Sequence, residues 1–293
     1  MDNLFTGSGV ALVTPFSKDL QIDFDALARL VEFQIDNGTD FLVVQGTTGE
    51  SPTLTKDEKE AVLQEVIDVN NGRCKIVFGL GGNNTAAVAE QLGKLPAGID
   101  GILSVSPYYN KPIQQGILAH YKILADSTDL PIILYNVPGR TGSNIAAETT
   151  LELAEIKNIV AVKEASGNME QIMQIIKYRP KGFGVLSGDD NLTMPLIAAG
   201  ADGVISVVAN AFPALFSTMV HASMNGNLDN ARKAHYQLFD ITKMFFEQGN
   251  PGGVKAALAH LEIMEEYMRL PLFPVSNSLR KRIIEETNRI SGS

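Results

Sequence analysis

Cysteine, positive charge, histidine and long apolar runs are all scarce in this chain. One cysteine, Cys74, stands among 293 residues. It has no partner within the chain, which excludes a disulfide-stapled secreted scaffold and favours a reducing compartment. A chain of this length buries most of the surface its unfolded form exposes, so it needs no staple. Lys and Arg number 24 against 33 Asp and Glu, a net charge of −9. Without a basic stripe to neutralise phosphates, nucleic acid is excluded as a partner. No run approaches the ~20 apolar residues that a membrane span requires. The opening MDNLFTGSGVALVTPF has no cationic segment ahead of an apolar one, so no signal peptide is read there. The expectation is a soluble cytoplasmic protein. The four histidines, His120, His221, His235 and His260, fall in helical stretches away from strand ends and form no ligand-spaced pair, so no metal site is expected. GLGGNN (79–84) follows an apolar run but is neither G-x-G-x-x-G nor a P-loop. Its glycines are read as letting the backbone pass close to a neighbour, and no cofactor is expected.

What is present is a repeat of alternating elements. Eight short runs rich in Val, Ile and Leu occur at 8–15, 41–50, 75–82, 100–107, 131–138, 158–166, 182–190 and 202–210. Each is too short for a helix and apolar enough for a strand buried on both faces. Helical patterns lie between them. In 23–38, Leu27, Leu30, Val31 and Ile35 share one face ahead of an Asn-Gly stop. In 55–72, Thr55 and Glu58 have capping-box spacing. Strand and helix alternating eight times with right-handed crossovers predict an α/β fold, a (β/α)8 TIM barrel. An open doubly wound sheet is the rival, and it usually has fewer strands. From about residue 212 only helical patterns remain. The expected organisation is a catalytic barrel over 1–225 with a C-terminal helical extension over 226–293.

In such a barrel the chemistry sits at the C-terminal ends of the strands. Those ends carry Gly46-Thr47-Thr48-Gly49-Glu50, Tyr108-Tyr109-Asn110, Tyr135-Asn136 with Arg140 beyond, Lys163-Glu164, Ser187-Gly188-Asp189, and Ile205-Ser206 then Asn210. The ordinary reading of Lys163 is a side chain snorkelling to the rim or paired with a carboxylate. The other reading is a nucleophilic amine. A lysine ordinarily titrates near ~10.4, so a useful neutral fraction near neutral pH costs about 4 kcal/mol. Burial in an apolar barrel mouth can supply that. A neutral amine forms a Schiff base with a ketone, and the resulting cationic nitrogen stabilises an adjacent carbanion as an enamine. Tyr135 is a proton shuttle or a core tyrosine. Thr47 and Thr48 relay protons and offer backbone N–H groups, or merely cap a turn. Arg140 grips a substrate carboxylate or forms a rim salt bridge. Glu164 points to the other face of its strand and is read as structural.

The set GTTGE (46–50), SPYYNKP (106–112), YNVPGRTG (135–142), VKEASG (162–167), LSGDD (186–190) and GVISVVAN (203–210) resembles the dihydrodipicolinate synthase family. The likeness covers nearly the whole chain. GTTGE and the sixth-strand lysine alone mark only the wider group of pyruvate-dependent lyases, which includes N-acetylneuraminate lyase. The resemblance implies a Schiff base between Lys163 and pyruvate, with Tyr135, Thr47 and Tyr109 as the proton relay. It implies that Tyr109 acts across a dimer interface. Thr48 and Ile205 would contact pyruvate through backbone groups, Gly188 would line the pocket, and Arg140 would receive the carboxylate of aspartate semialdehyde. The implied assembly is a homotetramer of tight dimers. Thr47 and Arg140 favour the synthase over neuraminate lyases, which have serine at the first position and no arginine at the second. An aldolase acting on a sugar acid and a non-catalytic barrel that binds a keto acid compete with this reading. One departure concerns feedback by lysine. The family's histidines near the start of the second helix fall on Lys56 and Lys59, and its glutamate falls on Ala87, while Asn83 and Tyr108 are retained. Two added cations and no carboxylate repel a bound ammonium, so inhibition by lysine is expected to be weak or absent.

Overall fold

The protein is described over residues 3–292 as a computed structural model. Eight strands, β1 (Gly7–Ala11), β2 (Phe41–Val44), β3 (Lys75–Gly79), β4 (Gly101–Val105), β5 (Ile132–Asn136), β6 (Ile159–Glu164), β7 (Gly184–Ser187) and β8 (Gly203–Ser206), close into one parallel barrel in sequence order. Closure through β8–β1 pairing, Gly9 opposite Ile205, rules out the open sheet. Helices α1 (Phe24–Asp36), α2 (Lys56–Asn70), α3 (Thr85–Leu92), α4 (Gln114–Asp126), the single turn α5 (Pro138–Thr141), α6 (Ala147–Leu153), α7 (Met169–Tyr178) and α8 (Thr193–Ala198) cross between the strands. After β8 come α9 (Pro213–Met224), α10 (Leu228–Phe246), α11 (Gly252–His260) and α12 (Asn277–Ser291). Among the described residues, no helix is long and apolar enough to cross a membrane.

Strand parity divides the core in two. Phe41, Val43, Val77, Leu103, Ile133, Tyr135, Ala161, Leu186 and Ile205 fill the lumen with Phe5. Val10, Leu42, Val44, Ile76, Ile102, Leu134, Val162, Val185 and Val204 meet the helices. Alternation with period two produces this division from the sequence, and runs apolar at every position supply both faces.

The local signals hold where chemistry fixes them. Asp23 caps α1 by accepting from Ala26 N–H at 2.9 Å. Thr55 and Glu58 form a complete capping box on α2. Glu58 does more than cap. It also pairs with Arg269, which holds its carboxyl down to about 2. Gly79 behaves as read, since a Cβ there would lie 2.4 Å from the Gln45 carbonyl. The first strand is shorter than its apolar run. It ends at Ala11, and beyond it Asn210 takes over the seam. Asn210 accepts from Val13 N–H at 3.1 Å and donates to the Ala11 carbonyl at 2.8 Å.

Candidate active site

The same parity that builds the lumen aims the candidate nucleophile. Tyr135 pairs with Lys163 across β5–β6, and Lys163 with Leu186 across β6–β7, so all three share one inward layer at the C-terminal mouth. Lys163 is 5% exposed and Tyr135 7%. The Lys163 ammonium nitrogen lies 4.4 Å from the centre of the Tyr135 ring. Among the described residues, no carboxylate oxygen lies within 4.0 Å of it. The neighbouring Glu164 is fully buried on the opposite face. It accepts from Asn136 at 2.7 Å, Gln171 at 2.9 Å and the Ser166 hydroxyl at 2.6 Å. Burial pushes its carboxyl up against these hydrogen bonds. The structural reading of Glu164 therefore stands, and Lys163 has no rim or salt-bridge role.

Four of the other candidates stand at the ends of neighbouring strands. Thr47 and Thr48 open a single turn of 3-10 helix, Thr47–Gly49, directly after β2. Thr47 is exposed at the mouth, whereas Thr48 is 2% exposed. Gly188 donates to the Glu164 carbonyl at 2.6 Å, beside Lys163. A Cβ at Gly188 would lie 3.0 Å from the Lys163 Cε, so glycine keeps the amine's flank open. Ile205 is buried in the lumen cluster with Tyr135 and Leu186. The β7 and β8 ends are tied by Asp190, which accepts from Val207 and Val208 N–H at 3.1 and 3.3 Å. Its full burial pushes its carboxyl up to about 6, against the hydrogen bonds it accepts. Asp189, next to Gly188, is also raised by burial.

Two candidates lie at the rim. Arg140 is exposed on α5, which stops at Gly142 in left-handed backbone. Among the described residues its guanidinium has no carboxylate within 4.0 Å, which rejects the rim salt bridge. Its loop is held by a network of amides: Asn136 to Asn144 at 2.8 Å, and Asn144 to Gln171 at 2.8 Å. Tyr109 is not brought to Lys163 at all. It is 86% exposed with φ of +73°, in a turn pinned by Asn83 and Asn110.

Sequence reasoning missed three contributors. Gln45 precedes the threonine turn with φ of +65°, and its buried amide has no partner among the described residues. Its signal was a polar residue placed straight after Phe41–Val44. Asn250 donates to the Thr48 hydroxyl at 3.0 Å from 202 residues away. Lys255 pairs with Glu50, and its signal was one lysine inside the otherwise apolar GGVKAALA. The four histidines lie on helices as read, held for example by Thr85 at 2.9 Å from His120 and Asp40 at 2.7 Å from His221.

Comparison with known proteins gives the family of the chain. The model of the "Dihydrodipicolinate synthetase family" matches residues 4–288. A 4-hydroxy-tetrahydrodipicolinate synthase of Phocaeicola vulgatus is 53% identical over 92% of this chain and 91% of its own. The crystal structure of dihydrodipicolinate synthase from Aquifex aeolicus superimposes with a TM-score of 0.94 at 43% identity, covering 98% of each chain. A structure described as a monomeric dihydrodipicolinate synthase variant matches with a TM-score of 0.94 at 39% identity, over 98% of this chain and 97% of that one. With a match running nearly end to end and relatives at half identity, the chain belongs to the dihydrodipicolinate synthetase family.

Proposed function

We propose that the protein is a lyase, a 4-hydroxy-tetrahydrodipicolinate synthase that condenses pyruvate with L-aspartate 4-semialdehyde in the diaminopimelate route to lysine. The observation that carries this reading is Lys163, an amine buried against Tyr135 with no carboxylate partner among the described residues. The neutral amine of Lys163 attacks C2 of pyruvate, and water leaves as the imine forms. The iminium nitrogen draws electrons from the C3–H bond, and the proton lost gives the enamine. Tyr135 passes protons at this stage, with Thr47 and the Tyr109 of a second copy completing the relay. Thr48, Gly188 and Ile205 line the keto-acid pocket. Arg140 receives the carboxylate of the aldehyde as a bidentate partner. Enamine C3 then attacks the aldehyde carbon. The substrate's own amine attacks C2 and displaces Lys163, closing the ring.

The solvent position of Tyr109 favours a homo-oligomer in which that tyrosine completes a neighbour's site, and a tetramer of tight dimers is the assembly inferred. A cytoplasmic location and a catalytic unit over 1–225 belong to the same reading. Weak or absent inhibition by lysine is supported by Lys56 and Lys59 on α2 and Ala87 on α3. Of the acids near them, Glu90 is already engaged by Lys94 at 2.6 Å and Glu60 lies 3.7 Å from Lys56 itself.

Borohydride reduction in the presence of pyruvate, followed by peptide mapping, tests the chemistry. A covalent adduct on the peptide containing Lys163 is expected, and its absence refutes the Schiff base. Turnover of pyruvate with N-acetylmannosamine in preference to aspartate semialdehyde would instead establish a sugar-acid aldolase.

A further inference from the structure

The threonine turn is gripped from behind by residues that lie beyond the barrel in sequence. Glu50 ends that turn in left-handed backbone, with φ of 54°. This conformation is uncommon for a residue with a Cβ and persists where the surroundings hold it. The carboxylate of Glu50 is fully buried, and so is the ammonium of Lys255 on α11, 2.5 Å away. The approach is oblique, so Glu50 Oε1 gains a charge partner without an aligned hydrogen bond. Lys255 also donates to the Tyr267 carbonyl at 2.9 Å and lies 4.5 Å from the centre of the Phe16 ring. Arg269 N–H donates to the other Glu50 oxygen at 3.3 Å. One turn of chain earlier, Asn250 donates to Thr48 Oγ1.

A buried ion pair is weak evidence for stability, because apolar residues of similar volume often do as well. What this one supplies is direction. It fixes the residue that leaves the turn, while Asn250 fixes the hydroxyl inside it. With a lone pair taken by Asn250, the Thr48 hydroxyl donates to no acceptor among the described residues. Its proton is therefore left for a ligand. Neither Lys255 nor Asn250 touches Lys163, so their action is confined to the turn.

We propose that Lys255 and Asn250 are positioning residues for the keto-acid subsite. Lys255 clamps Glu50, Asn250 orients the Thr48 hydroxyl, and together they set the Thr47–Thr48 turn to receive the carboxylate of pyruvate. The inference rests on the reading that this turn meets pyruvate, and it assigns substrate binding in the first half-reaction to the C-terminal segment.

The test compares the full-length wild type with Lys255→Met, Asn250→Ala, Glu50→Gln and the Glu50→Gln/Lys255→Met pair. The readouts are Tm, the rate of borohydride trapping on Lys163, and kcat/KM for each substrate. Asn250→Ala should lower kcat/KM for pyruvate by about fivefold to tenfold, the effect of losing one buried hydrogen bond. Lys255→Met should lower it by about tenfold or more and slow trapping, because Glu50 is left without its cation. For both variants kcat/KM for the aldehyde should stay within about twofold, since that half-reaction starts from the adduct. The double variant should recover part of the Lys255→Met loss. Equal losses for both substrates, or wild-type pyruvate kinetics in a folded variant, overturn the proposal. If Lys255→Met does not fold, Asn250→Ala, which removes no charge, decides. Failure of the wild type itself to trap pyruvate on Lys163 overturns the functional reading and this inference together. Trapping with unchanged variants overturns the inference alone.

Discussion

Lys163 and Lys255 occupy closely similar surroundings. Both are buried, and each holds its nitrogen about one ring-contact from an aromatic face, 4.4 Å from Tyr135 and 4.5 Å from Phe16. They differ in what answers the charge. Lys255 has Glu50 at 2.5 Å and the Tyr267 carbonyl at 2.9 Å, and no part of its side chain reaches solvent. Among the described residues Lys163 has no carboxylate within reach, and it keeps a small exposed edge in the barrel mouth. Burial alone therefore does not mark the nucleophile. An ammonium held by an anion and a carbonyl is locked in place, whereas an amine left without an anion is available for bond formation.

The largest expected effect breaks the comparison on the Lys163 side. Lys163→Met should lower kcat/KM by at least ~1,000-fold and abolish the borohydride adduct, because no other amine is placed to form the imine. Its stability should stay within about 1 kcal/mol of the wild type, since it removes an amine that has no partner to orphan. A large loss of stability in that variant would make Lys163 a structural cation like Lys255.

The next effect breaks the Lys255 side. Lys255→Met should destabilise the fold by about 3–5 kcal/mol at neutral pH, because the Glu50 carboxylate stays buried without its cation. At saturating pyruvate the adduct on Lys163 should still form. The pH dependence sharpens this contrast. Burial holds Lys255 down to about 8 against an ordinary 10.5, with Glu50 opposing the shift. Between those two values the unfolded chain keeps a proton that the folded chain has released. The proton-linked part of this lysine's contribution to stability is thus full above 10.5 and is lost as pH falls through about 8, while the pairing with Glu50 acts below that range. Denaturant titrations from pH 8 to 10.5 should show unfolding free energy climbing with pH more steeply in the wild type than in Lys255→Met. Equal slopes would show that Lys255 does not titrate in that range.

The two lysines also differ in how legible they were. Lys163 was readable as a candidate because it ends an apolar run at a strand's C-terminal end, with Tyr135, the threonine turn and the family resemblance giving it partners; its register with Tyr135 and its inward face come from the folded barrel. The same parity turned Glu164 outward. Thr55 and Glu58 were readable because a capping box is complete within four residues. Lys255 was not readable as Glu50's partner, nor Asn250 as Thr48's. Those contacts join residues about 200 positions apart, and nothing local in GGVKAALA says which carboxylate answers its charge. Only the oddity of a lysine in an apolar helix was on view. The end of β1 was misjudged for a related reason. An apolar run shows burial, whereas pairing stops where Asn210, on the far side of the barrel seam, replaces the next strand bond.

The smallest expected effect concerns lysines that are neither locked nor poised. Lys56 opens α2 with its side chain 81% exposed and only a 3.7 Å contact to Glu60. Lys59 is partly buried, and burial alone pushes its ammonium down from the ordinary value. A cation already costly to keep charged becomes more so when a second ammonium approaches. Ala87 offers no carboxylate to offset this, and Glu90 is committed to Lys94. Free lysine should therefore find no net attraction here. In the coupled assay with both substrates near KM, millimolar lysine should leave the initial rate within about twofold, below the ~5-fold lower end of typical coupling energies. Strong inhibition would mean that these two lysines turn away when the ligand arrives, and that exposed ammonium groups beside a site are a poorer guide to its charge preference than the buried pair Lys163 and Lys255.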